Sequence, residues 1–189
     1  MTGISIRSVN ALFLRIRKRL AEICEAKSPV SGTVEVDESY FGPRRVRGKH
    51  GRGAGGKTIV FGVFQREESV YTQIVPNCRK ATLQKVIRGR VSLESVIHSD
   101  GWSGYDGLVD VGYSKHFRVR HHLNEFGVHS NHINGIESFW SFAKRRLAKF
   151  NGIPSHTFYL HLKECEFRFN HRKDNLYMSL LKIFREVPL

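Results

Sequence analysis

Near the N-terminus Val9, Leu12, Phe13, Ile16, Leu20 and Ile23 recur at helical spacing, with Arg15, Arg17, Lys18 and Arg19 off that stripe. The pattern predicts one amphipathic, basic helix. Its opening, Thr2 to Val9, reads like the turn and recognition-helix start of a helix-turn-helix whose first helix is missing. A helix packed on the main domain or on a partner fits the same residues. Ser28-Pro29-Val30-Ser31-Gly32 breaks the helix, so residues 1–28 read as a basic helical segment, with 29–189 as the main domain.

From Thr33 the period shortens. Val34 and Val36 alternate with Glu35 and Asp37, and two more apolar, β-branched runs follow at 58–65 and 70–75, joined through Arg66-Glu67-Glu68-Ser69. Three consecutive strands predict a meander. Residues 79–91 carry a helical stripe through Leu83, Val86, Ile87 and Val91, and Ser95 to His98 predicts a fourth strand ending at Ser99-Asp100-Gly101. A strand reached through a helical crossover is expected to run parallel to its neighbour. His116 to Arg120 predicts a fifth strand. Helices follow at 134–150 (Ile136, Trp140, Ala143, Leu147) and 156–170 (Phe158, Leu162, Cys165, Phe169), and a short last one is marked by Leu176, Leu180, Leu181 and Phe184. This order describes an α/β domain, a mixed sheet of about five strands flanked by helices.

Charge then narrows the function. Lys and Arg number 31 against 17 Asp and Glu, a net +14 before histidine. Clustered basic residues at this density are the footprint of a polyanion binder, nucleic acid first. Cys24, Cys78 and Cys165 form no C-x-x-C pair, which excludes a disulfide framework or a zinc ribbon and fits buried thiols in a reducing compartment. No apolar run approaches the length of a membrane span, and Arg7, Arg15 and Arg17 interrupt the place for a signal peptide. A cytoplasmic, nucleoid-associated protein with no membrane partner is expected.

The segment from Gly42 to Lys57 holds six cations and no acid among many glycines. It cannot pack a core. Glycine lets backbone approach a phosphate, and cations release counterions, so Arg44, Arg45, Arg47, Lys49, Arg52 and Lys57 are candidate DNA-binding residues, joined by Arg145 and Arg146 in the helix at 134–150. A flexible hairpin tip is the plainer alternative. Lys57-Thr58 leads into a strand, so the segment is not a Walker loop.

In so basic a chain the informative acids sit at the ends of apolar elements. Asp37 follows Val34 and Val36, Asp100 follows Val96 to Ser99, and Glu137 opens a helix. They meet only if the two strands are neighbours, which the topology permits. Convergent carboxylates repel and are held ionised by a cation; oxygen-only ligands select Mg²⁺ or Mn²⁺. Two such ions about 3.5–4 Å apart serve in-line displacement at phosphorus. Singly, each acid is equally well a turn or helix-dipole residue. Glu38 is expected on the opposite sheet face from Asp37, and His98 in the core. His121, His122, His129 and His132 are assigned to polar contacts with DNA or with the helix at 134–150 rather than to zinc, and Trp102, Tyr105, Phe139 and Trp140 to the core.

The blocks around the acids, Val36-Asp37-Glu38-Ser39-Tyr40-Phe41-Gly42, Ser99-Asp100-Gly101-Trp102-Ser103-Gly104-Tyr105 and His132-Ile133-Asn134-Gly135-Ile136-Glu137-Ser138-Phe139-Trp140 with Lys144-Arg145, resemble the DDE transposases of the fifteen-ninety-five insertion-sequence family, over about residues 30–172. The resemblance implies a ribonuclease H-like fold, two Mg²⁺ or Mn²⁺ ions, and cutting and joining of DNA at the inverted repeats of element ends and in target DNA. It implies that Asp37, Asp100 and Glu137 are catalytic metal ligands, with Asn134 the competing third ligand, and that Lys144 reaches a phosphate from the same helix face. It implies a homodimer or higher multimer. Many members carry an N-terminal zinc ribbon and a complete helix-turn-helix, and this chain has neither, so a catalytically silent DNA-binding remnant or regulator is one alternative. A host nuclease of the same fold is another.

Overall fold

The computed structural model describes residues 3–26, 30–42, 56–100, 105–108, 112–119 and 132–189. It divides into two compact units, Ser28–Arg145 and Met1–Lys27 with Arg146–Leu189.

The first unit is built on a mixed five-stranded sheet, as its alternating runs require. Strands β1 (Thr33–Phe41), β2 (Thr58–Gln65) and β3 (Val70–Val75) form the antiparallel meander; helix α2 (Lys80–Arg90) crosses to β4 (Val96–Asp100), followed by β5 (Lys115–Val119). The order in the sheet is β3-β2-β1-β4-β5. β4 lies parallel to β1 on one side and to β5 on the other. The crossover delivers the chain in the same direction as β1, which is why β1 can be central and carry a neighbour of each sense. This is the α/β, ribonuclease H-like arrangement of a mixed sheet flanked by helices.

Each sheet face takes one period of β1. Val34 and Val36 pack with Phe61, Val63, Ile97 and the α2 residues Leu83, Val86 and Ile87 in one buried cluster. The opposite face receives helix α3 (Asn134–Ala148), which begins in this unit. Gly62 makes that approach possible, because a Cβ there would stand 2.6 Å from the Trp140 ring and 2.7 Å from Ile136 Cδ1. Gly135 does the same from the helix side, where a Cβ would fall 2.0 Å from Phe64 Cε1. Close packing of this kind tolerates almost no added volume.

The second unit is helical: α1 (Ile6–Ala26), α4 (Ser155–Asn170) and α5 (Leu176–Glu186). Leu20, Cys24 and Phe167 are buried together, with Ile16, Ile23, Leu176, Leu180 and Ile183 packed around them. The expected apolar stripe of α1 is used only in its C-terminal half, since Leu12 and Phe13 are exposed. At 21 residues α1 is longer than its 16-residue neighbour α4, and its first turns extend past the cluster. Glu164 of α4, almost fully buried, accepts from Arg17 Nε at 2.8 Å, Arg168 Nε at 2.9 Å and Arg146 at 2.5 Å. Burial pushes its carboxyl up, but the Arg17 hydrogen bond with the charges of Arg146 and Arg168 outweighs this and holds it below the usual range. Lys163 is fully buried and paired with Glu25 at 2.8 Å and Glu166 at 3.0 Å. Cys24 and Cys165 are buried free thiols and Cys78 is half-buried; burial raises Cys165 to about 12, which makes it inert. Among the described residues no helix is long and apolar enough to cross a membrane.

Candidate active site

The parallel register of β1 and β4 runs Glu35 beside His98 and Val36 beside Ser99. One further step sets Asp37 beside Asp100, and because β4 keeps the same alternation the two carboxylates share one face. Asp37 lies mid-strand, since β1 runs on to Phe41 in its pairing with β2, whereas Asp100 stands at the C-terminal end of β4. This is the edge at which α/β sheets present ligand-binding residues. Asp37 is largely buried there. Burial first, then the charges of Glu38 and Asp100, raise its carboxyl from 3.8 to about 7, against hydrogen bonds from Trp140 and the Glu38 backbone. The expected core histidine His98 is buried and stacked on Phe117 with ring centroids 5.3 Å apart.

Glu38 projects to the other face, as its position in the strand requires, and accepts from the Tyr105 hydroxyl at 2.5 Å. Burial and the Glu38 charge hold that phenol well above its ordinary value, so it stays a donor. Behind Asp100, the Ser99 hydroxyl donates to the Asp100 carbonyl and lies 2.8 Å from His116 Nε2. Its single hydrogen being so used, His116 must supply the other one, from Nε2. Burial, then the Arg118 charge, lower His116 to about 4, so the ring is neutral in this role.

Helix α3 supplies the rest. The Trp140 indole Nε1 donates to Asp37 Oδ2 at 2.9 Å. Its ring meets Phe41, four residues beyond Asp37 on the same strand face, edge-on at 6.0 Å between centroids. Glu137, Trp140 and Lys144 recur at three and four residues, one helix face. Lys144 Nζ stands 5.9 Å from the centre of the Phe41 ring, which fixes that face over the end of β1. Glu137 and Asn134 are exposed on the first turn of the helix. The fold thus brings together Asp37 and Asp100. Among the described residues it does not gather any three His, Cys, Asp or Glu side chains closely enough to hold a metal.

The pair fits a hard divalent cation by the chemistry of its donors. Two carboxylates on adjacent strands, of which Asp37 is raised in proton affinity by burial and by the charges of Glu38 and Asp100, gain most from a cation with a preference for oxygen. Of the cations read as facing DNA, Arg145 is exposed on α3 and Lys57 half-buried at the start of β2. Arg146 is engaged in the Glu164 cluster, whose buried carboxylate gathers three guanidinium groups. Arg44, Arg45, Arg47, Lys49 and Arg52 lie outside the described residues, as do Trp102, His121, His122 and His129.

Two site features escape the sequence reading. Trp140 is buried, as expected of a core residue, but also holds an Asp37 oxygen. Glu35, fully buried on the same strand face as Asp37, accepts from Arg66 Nε at 2.9 Å and from the Ile136 backbone N–H at 3.0 Å. The alternation of β1 places Glu35 and Asp37 on one face, which was the available signal. Nothing in the pattern names Arg66, which reaches Glu35 from the β2–β3 turn.

Two comparisons bear on this arrangement. The family model described as the ISXO2-like transposase domain, of the same insertion-sequence family that the three sequence blocks resemble, matches residues 29–170. A curated protein of Haemophilus influenzae bearing the name "Uncharacterized transposase-like protein" is 47% identical over 113 residues, which is 60% of this chain and 90% of that relative.

Proposed function

Because the chain belongs to the ISXO2-like transposase domain family, we propose that it is an insertion-sequence transposase that cleaves DNA at element ends and joins them to target DNA through a DDE carboxylate set. The observation that carries the reading is the juxtaposition of Asp37, midway along β1, and Asp100, at the end of the adjacent parallel β4, beneath the α3 face that bears Glu137 and Lys144.

Asp37 and Asp100 would hold Mg²⁺ or Mn²⁺, with Glu137 as third acid; Asn134, one turn earlier on α3, is the weaker candidate because an amide carries no charge. Bound, two such ions activate the attacking oxygen and stabilise the leaving oxygen at phosphorus. The chain's own groups do the remainder. Trp140 donates to Asp37 Oδ2 and so fixes the rotation of that carboxylate. Lys144 offers a point charge to a phosphate flanking the scissile one. Arg145, Lys57 and the cations of the 43–55 segment would track the backbone, binding through counterion release and without reading sequence. The nucleophile is water in the cleavage step and a DNA 3′-hydroxyl in the joining step; in each, one P–O bond forms as another breaks.

The test incubates the purified chain with labelled DNA carrying the inverted repeats that flank its reading frame, with Mg²⁺ or Mn²⁺, beside Asp100→Ala. Joined products with the wild type and none with the variant are expected. Hydrolysis without joining would replace the transposase by a nuclease of the same fold, and metal-independent cleavage, or cleavage insensitive to Asp100→Ala, would remove the proposed site.

A further inference from the structure

Glu35 and Asp37 leave β1 on the same face, yet their surroundings are opposite. Every described partner of Glu35 is a donor that ties it to the start of α3. Oε2 accepts from the Ile136 N–H at 3.0 Å, one of the helix's first-turn amides that has no intrahelical partner. Oε1 accepts from Arg66 Nε at 2.9 Å, and His132 Nδ1 stands 3.6 Å away. The same Arg66 donates to the His132 carbonyl at 2.5 Å. Its own backbone N–H is held by the Thr33 carbonyl at 3.0 Å, so the guanidinium springs from a fixed point. One carboxylate and one guanidinium therefore clamp the residues just before α3 and its first turn onto β1.

The spacing gives the clamp a purpose. Glu35 and Asp37 are two strand residues apart, about 6.7 Å, and the α3 residues they hold, Ile136 and Trp140, are four helical residues apart, about 6 Å. Two anchors of matched separation fix the helix both along its axis and about it. A single anchor would leave rotation free. Glu137 lies between the anchored residues, on the turn they define. Gly135 permits the clamp, since a Cβ there would stand 2.9 Å from Glu35 Oε2.

We propose that Glu35, held by Arg66, is a positioning residue: it sets the register of α3 on β1 and thereby the placement of Glu137 relative to Asp37 and Asp100. It is not itself a metal ligand, because both its oxygens are already bound and it is wholly buried. This inference rests on the functional reading given above.

What the clamp needs is two acceptor oxygens at the right reach. Glu35→Gln keeps the length but sets an NH₂ against one of the two donors; Glu35→Asp keeps both acceptors but is one methylene short. The experiment compares both with the wild type and with Asp100→Ala in single-turnover cleavage of end DNA across a Mn²⁺ titration, and separately follows the rise of Tm with Mn²⁺ in the absence of DNA. Loss of an outer-sphere partner typically costs about 10–100-fold in metal affinity or activity. Glu35→Asp and Glu35→Gln are each expected to shift half-saturation by Mn²⁺ upward about 10-fold or more in both assays, with end-DNA affinity unchanged. Should Glu35→Asp not fold, Arg66→Lys, which keeps charge but loses the fork, is expected to shift half-saturation in the same direction. Variants of lowered Tm but wild-type Mn²⁺ dependence overturn the proposal. A wild type without metal-dependent cleavage overturns the functional reading itself; an active wild type, a silent Asp100→Ala and Glu35 variants matching wild type overturn this inference alone.

Discussion

Asp37 is held in the fold at a cost, and the cost can be measured. Its carboxyl is raised from 3.8 to about 7 by burial and by the charges of Glu38 and Asp100. At one proton-affinity decade per 1.36 kcal/mol, that rise amounts to roughly 4 kcal/mol. The sign follows from linkage. A folded-state value above the unfolded one means that the native protein binds the extra proton, so the stability due to the protonated group is complete below pH 3.8 and is lost as pH climbs to about 7. Asp37→Asn removes the charge and keeps an oxygen for the Trp140 indole. In EDTA-containing buffer the variant should therefore match wild type near pH 4, gain steadily through the window, and stand about 2–4 kcal/mol more stable at pH 8, since the buried amide retains some desolvation cost of its own. Urea unfolding at a series of pH values reads this directly, provided the m-values agree. Mn²⁺ should stabilise wild type by about 2.7 kcal/mol at a hundredfold excess over its dissociation constant and the variant much less. An Asp37→Asn protein destabilised equally at pH 4 and pH 8 would show that the carboxylate is a structural partner of Trp140 and carries no strain, and the metal-site argument would lose its electrostatic basis.

Three other outcomes test the framework. Gly62→Ala should destabilise by about 1–3 kcal/mol or more through overpacking against Trp140 and Ile136, whereas Gly89→Ala, exposed in the last turn of α2 with nothing near the added Cβ, should gain up to about 0.5 kcal/mol; thermal melts of both separate packing from helix propensity. Glu164→Gln leaves three guanidinium groups about a neutral amide and should cost about 3–5 kcal/mol at neutral pH, and because the native carboxyl is held low, its contribution should fade only as pH falls below the ordinary carboxylate range. Arg145→Ala should weaken DNA binding to all sequences alike and lower the slope of log affinity against log salt by about 1; an unchanged slope would remove Arg145 from the phosphate path.

The parts of the fold set by local periodicity were legible in the chain. The three strands of the meander, the crossover helix and the parallel fourth strand follow from period and order alone; these only permit the adjacency of Asp37 and Asp100, which the strand order β3-β2-β1-β4-β5 supplies. Periodicity fails where a stripe continues past its partner. In α1 the residues Leu12 and Phe13 repeat the pattern of Leu20 but lie exposed, and only the tertiary packing of α1 decides that. It falls short again at Trp140, where composition rightly says core but does not name the Asp37 carboxylate to which the indole donates. Arg66 is a harder case: it sits in a turn among charged residues, and its target lies on a strand 31 positions earlier, a pairing that no local rule contains.

The contrast between Glu35 and Asp37 shows why strand alternation alone cannot find a site. Both are acids on one face of one strand, both are packed against α3, and both accept from it. Their difference lies in what else reaches them. Glu35 has a guanidinium at 2.9 Å and a backbone amide at 3.0 Å, so its charge is met from within the protein. Asp37 accepts from a neutral indole and stands close to two further carboxylates, so its charge is opposed. A buried acid met by donors holds elements together; a buried acid opposed by other acids stores a demand for cation, and the difference is fixed by a single long side chain, Arg66, reaching one position and not the other. Moving that charge should exchange the roles. A guanidinium within reach of Asp37 would satisfy it, lower its proton affinity and stabilise the metal-free fold, and it would compete with any divalent ion for the same oxygens.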